Sequence, residues 1–195
     1  ENSQQNWYDN LWYDNPWFKA YEIIDASDTD LMTSSVTGSY EITPWLKAMI
    51  RGGLDVSTTR NERRNAISAN YAWDKNGFYG LSRSTSLSLN TDAILMANKT
   101  WGKFTIDGLF GGNIYYYRYD QMQSTTQGGL SIPGYYSLKA SVDPIDATSA
   151  LQQKRVNSLY GKLSLSWDST YLLDVTGRND WSSTLRSDER SYFYP

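Results

Sequence analysis

Charged side chains recur at even spacing in two parts of the sequence, and paired carboxyl groups could perform acid–base hydrolysis. Asp174, Arg178 and Asp180 are separated by even numbers of residues, as are Arg51 and Asp55, so each set shares one face of an extended strand. A glycosidase needs two carboxyl groups in contrasting environments, one of them buried. Nothing in the surrounding sequence supplies a buried environment, so a hydrated, ion-paired surface is the simpler interpretation. We therefore predict that the protein is not an enzyme.

Other site chemistry is limited by what the chain lacks. It contains no His and no Cys, which excludes Ser-His-Asp and Cys-His nucleophiles, His-ligated zinc and haem ligation within these residues. Asp25, Asp28 and Asp30 form an acidic cluster without the Gly and distant Glu of an EF-hand loop. The net charge of -3 provides no general basic face for phosphates. We expect no metal, no cofactor and no nucleic acid partner.

The composition favours amphipathic surfaces over a large aliphatic core. Hydrophobic residues make up only 39% of the chain, whereas aromatic residues reach 15%, with 16 Tyr and 8 Trp. Tyr and Trp combine an apolar ring with a polar group, which suits a membrane–water interface or a binding surface for sugars or peptides. A membrane-spanning helix needs about 20 consecutive apolar residues. The sequence has no such stretch, so a helical membrane protein is excluded.

Alternation of apolar and polar residues predicts an all-β protein. Phe104, Ile106 and Phe110 share one strand face, while Asp107 and Asn113 share the other. The same period of two predicts about six strands of roughly 10 to 15 residues, long enough to cross a bilayer. These strands are Met32–Ile42, Leu46–Thr58, Ser86–Ala97, Lys103–Tyr117, Arg155–Trp167 and a last strand from Tyr171 to Asp180.

Short and long connections alternate along the chain. The short connections are Thr43–Pro44, Thr100–Gly102 and Asp168–Thr170, and an aromatic residue lies beside each of them. The long polar connections are Thr59–Gly80, Arg118–Lys154 and the segment from Trp181 onward. Periplasmic turns, long extracellular loops and an aromatic girdle are typical of an antiparallel transmembrane β-barrel. A soluble or surface-exposed all-β module that binds glycans through its aromatic residues remains the alternative.

Two sets of residues are candidates for contact with a transported molecule. We expect one set of polar side chains to face the barrel lumen: Arg51, Asp55, Asn90, Asp92, Asp107, Asn113, Lys162, Asp174, Arg178 and Asp180. A second set of aromatic side chains lies in the long connections: Trp73, Tyr79, Tyr135 and Tyr136. These rings could stack on a sugar or contact a partner, or they could pack the loops on themselves.

Several motifs resemble those of a known family. The segment Thr176–Leu185, which reads TGRNDWSSTL, and the following Ser191–Pro195, which reads SYFYP, are similar to a signature of SusC/RagA-type TonB-linked outer-membrane transporters. Gly102-Lys103-Phe104, opening a strand that reaches Gly111-Gly112-Asn113, gives a weaker match. The resemblance extends from about residue 30 to the end. It implies a bacterial outer-membrane barrel of about 22 strands whose lumen is plugged.

The resemblance also implies partners and a division of the chain. It implies that a TonB complex drives import of a large nutrient, an oligosaccharide or a peptide, and that a SusD-like surface lipoprotein closes the barrel as a lid. Residues 1–30 would then be an extracellular loop segment, and residues 31–195 would be part of the barrel, in contact with outer-membrane lipid. Six strands are too few to close a barrel, so the chain is interpreted as an internal part of a larger protein.

Overall fold

The structure, a computed structural model, describes residues 5–8, 12–70, 76–186 and 188–195. Trp73, one of the aromatic candidates, lies outside these residues. The described residues form one short α-helix and seven strands. Their bounds are α1 Pro16–Glu22, β1 Ile23–Thr43, β2 Leu46–Asn65, β3 Phe78–Trp101, β4 Phe104–Leu130, β5 Ser141–Trp167, β6 Tyr171–Ser182 and β7 Ser191–Tyr194, with a 3-10 turn at Leu138–Ala140. Within the described residues, no helix has the length and apolar character needed to span a membrane.

The strands form a single sheet in sequence order, β1 to β7. β6 pairs with both β5 and β7 in antiparallel orientation. Its register with β5 runs from Trp167 opposite Tyr171 to Val156 opposite Ser182. Antiparallel neighbours in sequence order need only short connections, which is what the turn-rich segments provide. The predicted all-β, antiparallel fold class is therefore confirmed.

The chain divides into two compact units. One, here called the turn unit, comprises Leu31–Val56, Ser86–Arg118 and Gln152–Pro195, and it contains the three short turns. The other, here called the loop unit, comprises Glu1–Asp30, Ser57–Thr85 and Tyr119–Leu151. Strands β1 to β5 contribute residues to both units.

Strand number and strand length differ from the sequence prediction. There are seven strands, and β1 to β5 have between 20 and 27 residues. Large parts of the predicted loops Thr59–Gly80 and Arg118–Lys154 belong to strands, which leaves the connections 66–77 and 131–140. These strand ends are mostly polar, so they lack the alternation that identifies a half-apolar strand.

Cross-strand hydrogen bonds between polar side chains accompany the ladder in this polar part of the sheet. The hydroxyl oxygens of Thr29 and Thr59 lie 3.0 Å apart, and those of Thr58 and Thr85 lie 3.4 Å apart. The Asn61 amide donates to the Ser82 hydroxyl at 3.1 Å. Paired Thr and Ser side chains across strands contribute modestly to sheet stability. The polar sequence thus supports strands without burying an apolar face.

The segment before residue 31 is not a simple loop. The Asn15 side chain accepts a hydrogen bond from the Trp17 amide at 2.9 Å, which caps α1. Phe18, on this helix, packs against Ala66 and Ala69 of the connection after β2. Residues 23–30, predicted as loop, form the beginning of β1, which pairs with β2, and Ile23 packs against the same cluster as Phe18. The second small apolar cluster consists of Tyr79, Leu130 and Ala140.

Candidate functional site

A network of polar side chains crosses one face of the sheet within the turn unit. It spans five neighbouring strands, β2 to β6, and we call it the polar belt. Its members are Arg51, Asn90, Asp92, Asn113, Ser158, Tyr160, Arg178 and Asp180. Residues of one parity on each strand point to the same face, so the alternation seen in the sequence places these groups together.

Asp92 is the centre of the polar belt. Its side chain is only 7% exposed, and its Oδ2 accepts hydrogen bonds from Arg51 Nε at 3.1 Å and from an Arg51 terminal nitrogen at 2.8 Å. Its Oδ1 accepts from the Asn113 amide at 2.9 Å and from the Tyr160 hydroxyl at 3.3 Å. A buried carboxylate is stable only when such partners replace water. These bonds fix β2, β4 and β5 to the carboxylate on β3.

Tyr160 links the two halves of the polar belt. The Arg178 guanidinium lies over its ring, 5.7 Å from the centroid, and donates to Asp180 at 2.8 Å and to the buried Ser158 hydroxyl at 3.0 Å. The ring also covers Gly111, where an added Cβ would lie 2.7 Å from the nearest ring atom. Glycine in a strand interior often marks such a close approach. Gly111 therefore provides the space that lets Tyr160 reach Asp92.

The polar belt borders an open cavity of about 540 Å³. Arg51 and Arg178 lie on its wall, and their side chains are 55% and 45% exposed. Each guanidinium is already oriented by a carboxylate, so its remaining N–H groups can donate to a further acceptor with little loss of side-chain freedom. The site can bind carboxylate, amide or hydroxyl groups. No cluster of three potential metal ligands occurs among the described residues.

The polar candidates from the sequence fall into two groups. Arg51, Asn90, Asp92, Asn113, Arg178 and Asp180 meet in the polar belt. Asp107 instead accepts from the Asn98 amide at 3.0 Å, while Asp55, Lys162 and Asp174 are exposed and lie outside the belt. The sequence analysis missed Ser158 and Tyr160. Both are separated from Lys162 by an even number of residues, which places all three on one strand face and could have identified them. In the structure, Tyr160 opposes Arg178 in the β5–β6 register.

The opposite face of the same strands is apolar and exposed. On β5 and β6, Leu163 opposes Val175 and Leu165 opposes Leu173, and three of these four side chains are between 41% and 56% exposed. The large hydrophobic residues of neighbouring strands continue this surface: Ile50, Leu89, Leu95, Phe110 and Ile114. Exposed apolar patches of this extent mark an interface with lipid or with another protein surface.

Aromatic rings lie at the short turns. The Trp167 and Tyr171 rings lie 5.6 Å apart across the β5–β6 turn. The Lys99 ammonium is 5.1 Å from the ring centroids of both Trp45 and Trp101, which flank the other two turns. The predicted association of rings with short turns is therefore present in the structure. Amphipathic rings with a nearby cation are suited to a membrane–water boundary.

Two of the three described aromatic candidates, Tyr79 and Tyr136, are packed. The Tyr79 hydroxyl donates to Glu62 at 2.8 Å, and its ring lies 6.5 Å from that of Tyr136. Burial raises the pKa of Tyr79, and the Tyr79 and Arg64 hydrogen bonds lower the pKa of Glu62. Tyr135, by contrast, is 51% exposed. Tyr135 is therefore the most exposed of the three described candidates.

Comparison with known proteins gives structural matches only. No protein-family model and no curated protein matches the sequence. The structure of the RagAB peptide transporter matches 91% of this chain with a TM-score of 0.82 at 16% sequence identity. The RagAB peptide importer in the "open-open" state matches 91% with a TM-score of 0.71 at 18% identity. The chain spans about one fifth of the length of each matched chain, 20% in both cases.

The likeness concerns the fold, because the identities are low. It agrees with the motifs TGRNDWSSTL and SYFYP, which suggested the same family from sequence. The meander order of the strands and their short turns agree as well. The chain therefore shares the fold of one part of the RagAB peptide transporter, which agrees with the SusC/RagA-type resemblance found in the sequence.

Proposed function

We propose that this chain forms part of the wall of a bacterial outer-membrane barrel that imports a large nutrient. The observation that carries the proposal is the contrast between the two faces of β2 to β6 in the turn unit. One face carries the hydrogen-bonded polar belt, and the other carries exposed Leu, Ile, Phe and Val side chains. Lipid outside and a hydrated lumen inside require this arrangement.

The strand lengths fit this location. A tilted strand needs about 9 to 11 residues to cross a bilayer, so strands of 20 to 27 residues extend beyond it. The polar strand ends with their paired hydroxyl groups suit the aqueous side. The short turns with their aromatic rings then lie at the periplasmic boundary, and the connections 66–77 and 131–140 lie outside the cell.

The polar belt acts as a contact surface and not as a catalytic site. Arg51 and Arg178 are held by Asp92 and Asp180, so their free N–H groups face the lumen in fixed positions. Carboxylate and carbonyl groups of a plug or of a passing peptide are suitable acceptors. Peptide is the first substrate class to test, because the matched structures are described as a peptide transporter and importer. Oligosaccharides are the second class.

Partners follow from the family resemblance. A SusD-like surface lipoprotein would cover the extracellular side, where Tyr135 is the exposed ring of the 131–140 connection. A TonB complex would act through parts of the protein outside this chain. Transport would then rely on binding and on movement of other segments, with no chemical step in the residues described above.

Spin labels on adjacent β6 residues test the orientation. Because this chain has no cysteine, Leu173→Cys and Asp174→Cys in the full-length protein place labels on opposite faces at one depth. In outer-membrane vesicles the label at 173 should be more accessible to oxygen, which concentrates in lipid. The label at 174 should be more accessible to a water-soluble nickel complex.

Two outcomes distinguish the proposal from the alternative. Nickel access to both labels, together with a full-length protein that stays monodisperse without detergent, would indicate a soluble glycan-binding module instead. Equal oxygen access to both would reject a hydrated lumen on the polar-belt side. For the substrate, an Arg51→Ala/Arg178→Ala transporter that imports peptides and oligosaccharides at the parental rate would remove the belt from transport.

A further inference from the structure

A second cavity lies at the end of β5 and β6 that is far from their turn. It has a volume of about 470 Å³. Its lining residues are Arg155, Asn157, Trp181, Ser182, Ser183 and Arg190, and all belong to the turn unit. Asn157 opposes Trp181 in the β5–β6 register, as Leu163 opposes Val175, so the Trp181 ring shares the face of the leucines. The TGRNDWSSTL segment thus ends at this cavity.

The distance between two aromatic levels locates the cavity relative to a bilayer. The Trp167–Tyr171 pair and the Asn157–Trp181 pair are ten residues apart along β5. Ten residues rise about 33 Å along a strand. With a barrel tilt of about 35–45°, this corresponds to about 25 Å across the membrane, which is the usual height of the apolar band between two aromatic girdles. Trp181 therefore lies at the second girdle.

The cavity beyond Trp181 is basic. Within the described part of the chain, neither Arg155 nor Arg190 forms an ion pair, and both residues are exposed. The Arg155 Nε donates to the Asn157 side-chain oxygen at 3.2 Å, which orients the guanidinium and leaves its terminal nitrogens available. Of the nearby carboxylates, Asp188 pairs with Arg186 at 2.9 Å. Glu189 does not line the cavity.

Two exposed guanidinium groups beside a Trp ring can bind an anion at the membrane–water boundary. We propose that Arg155 and Arg190, beside Trp181, bind a phosphate group of an outer-leaflet lipid. Two guanidinium groups can donate paired hydrogen bonds to a phosphate, and the indole ring can pack on the lipid's sugar or glycerol. Arg155 and Trp181 share the face of the leucines, opposite to the polar belt, and Arg190 reaches the same cavity from the end of the sheet. The proposal rests on the proposed function, because it requires the apolar face to contact lipid.

The test compares the full-length protein with two variants in a neutral detergent. The double variant Arg155→Ala/Arg190→Ala removes both guanidinium groups, and Arg186→Ala, whose guanidinium is paired with Asp188, is the matched control. The probes are lipid A, the same lipid after enzymatic dephosphorylation, and inorganic phosphate. Native mass spectrometry measures the bound lipid, and heat-modified gel mobility confirms that each variant is folded.

We expect the double variant to bind lipid A about tenfold or more weakly than the parent, because two charge-assisted contacts are lost. The Arg186→Ala variant should bind like the parent, and dephosphorylated lipid should bind the parent as weakly as lipid A binds the double variant. Unchanged binding by the double variant, or equal binding of both lipids, would overturn the proposal. Displacement of lipid A by equimolar inorganic phosphate would assign the site to a free anion.

These results are separable from those of the proposed function. A full-length protein that needs no detergent would reject the barrel wall itself. If the protein needs detergent but the double variant binds lipid A as tightly as the parent, only the phosphate site is rejected.

Discussion

An arginine placed in the apolar face at Leu163 tests the membrane assignment most directly. Leu163 lies four residues from Trp167 on β5, which corresponds to about 13 Å along the strand and about 10 Å across a bilayer. It is therefore close to the middle of a band about 25 Å high. An arginine there must lie in hydrocarbon, so Leu163→Arg should lower the free energy of unfolding by about 2–4 kcal/mol.

Two control variants separate depth from facing. Ser164→Arg changes the adjacent residue, which points to the polar-belt side opposite Asp174, so its cost should be near zero. Leu159→Arg stays on the apolar face but lies nearer to the Trp181 level, so it should cost about 1 kcal/mol or less.

The assay is a denaturant titration of the full-length protein in phospholipid vesicles, followed by heat-modified gel mobility. The face on which a residue lies and its depth in the membrane each predict a difference in the loss of unfolding free energy among the three variants. Equal losses for Leu163→Arg and Ser164→Arg would show that the apolar face does not contact lipid. Equal losses for Leu163→Arg and Leu159→Arg would refute the depth derived from the two aromatic levels.

Three further predictions concern the polar groups. Gly111→Ala should cost about 1–3 kcal/mol by displacing the ring above it, whereas Gly108→Ala, with its nearest contact at 4.0 Å, should cost far less; comparable losses in the same titration would contradict the assigned close approach. Asp92→Ala should lower the free energy of unfolding by about 1–3 kcal/mol because the donors of the polar belt lose their acceptor, whereas the exposed Asp55→Ala should have no effect. An Asp92→Ala variant as stable as the parent would show that Asp92 does not hold the polar belt together. Because the pKa of Glu62 is lowered in the fold, its carboxylate should stabilise the 131–140 connection at pH values above the normal carboxyl pKa. This stabilisation should be lost as the pH falls through the lowered pKa of Glu62. If the pH dependence of hydrogen-exchange protection is the same in Glu62→Gln as in the parent, the prediction is wrong.

Sequence reasoning predicted the parts of the sheet where one face is apolar. Phe110 and Asn113 were assigned to opposite faces from period two alone, and the antiparallel strands confirm the fold class. The same reasoning failed for residues 59–65 and for the end of β4, because these segments carry few apolar residues and so no apolar period to detect. Their pairing is decided by backbone hydrogen bonds and by the neighbouring strand, which no local pattern records.

The candidate site was predictable in outline but not in detail. The even spacing of Arg178 and Asp180 identified one ion pair, which the structure shows at 2.8 Å. The pairing of Arg51 with Asp92 depends on how β2 and β3 are aligned. That alignment depends on the length of the connection 66–77, which the sequence pattern did not give. Tyr160 was missed because a tyrosine fits either face, and its role becomes visible only from the space over Gly111.

The turns at the ends of the hairpins affect how the chain can reach this fold. Only a few residues separate β1 from β2, β3 from β4 and β5 from β6, so each pair can meet with a small loss of chain entropy. The turns are also joined to each other, since the Asp168 amide donates to the Lys103 carbonyl at 2.7 Å and the Asn98 amide donates to the Trp45 carbonyl at 2.9 Å. Every strand has a partner adjacent in sequence. A wall built in this way has low contact order for its size, because no pairing within it has to wait for a distant part of the chain to be synthesised.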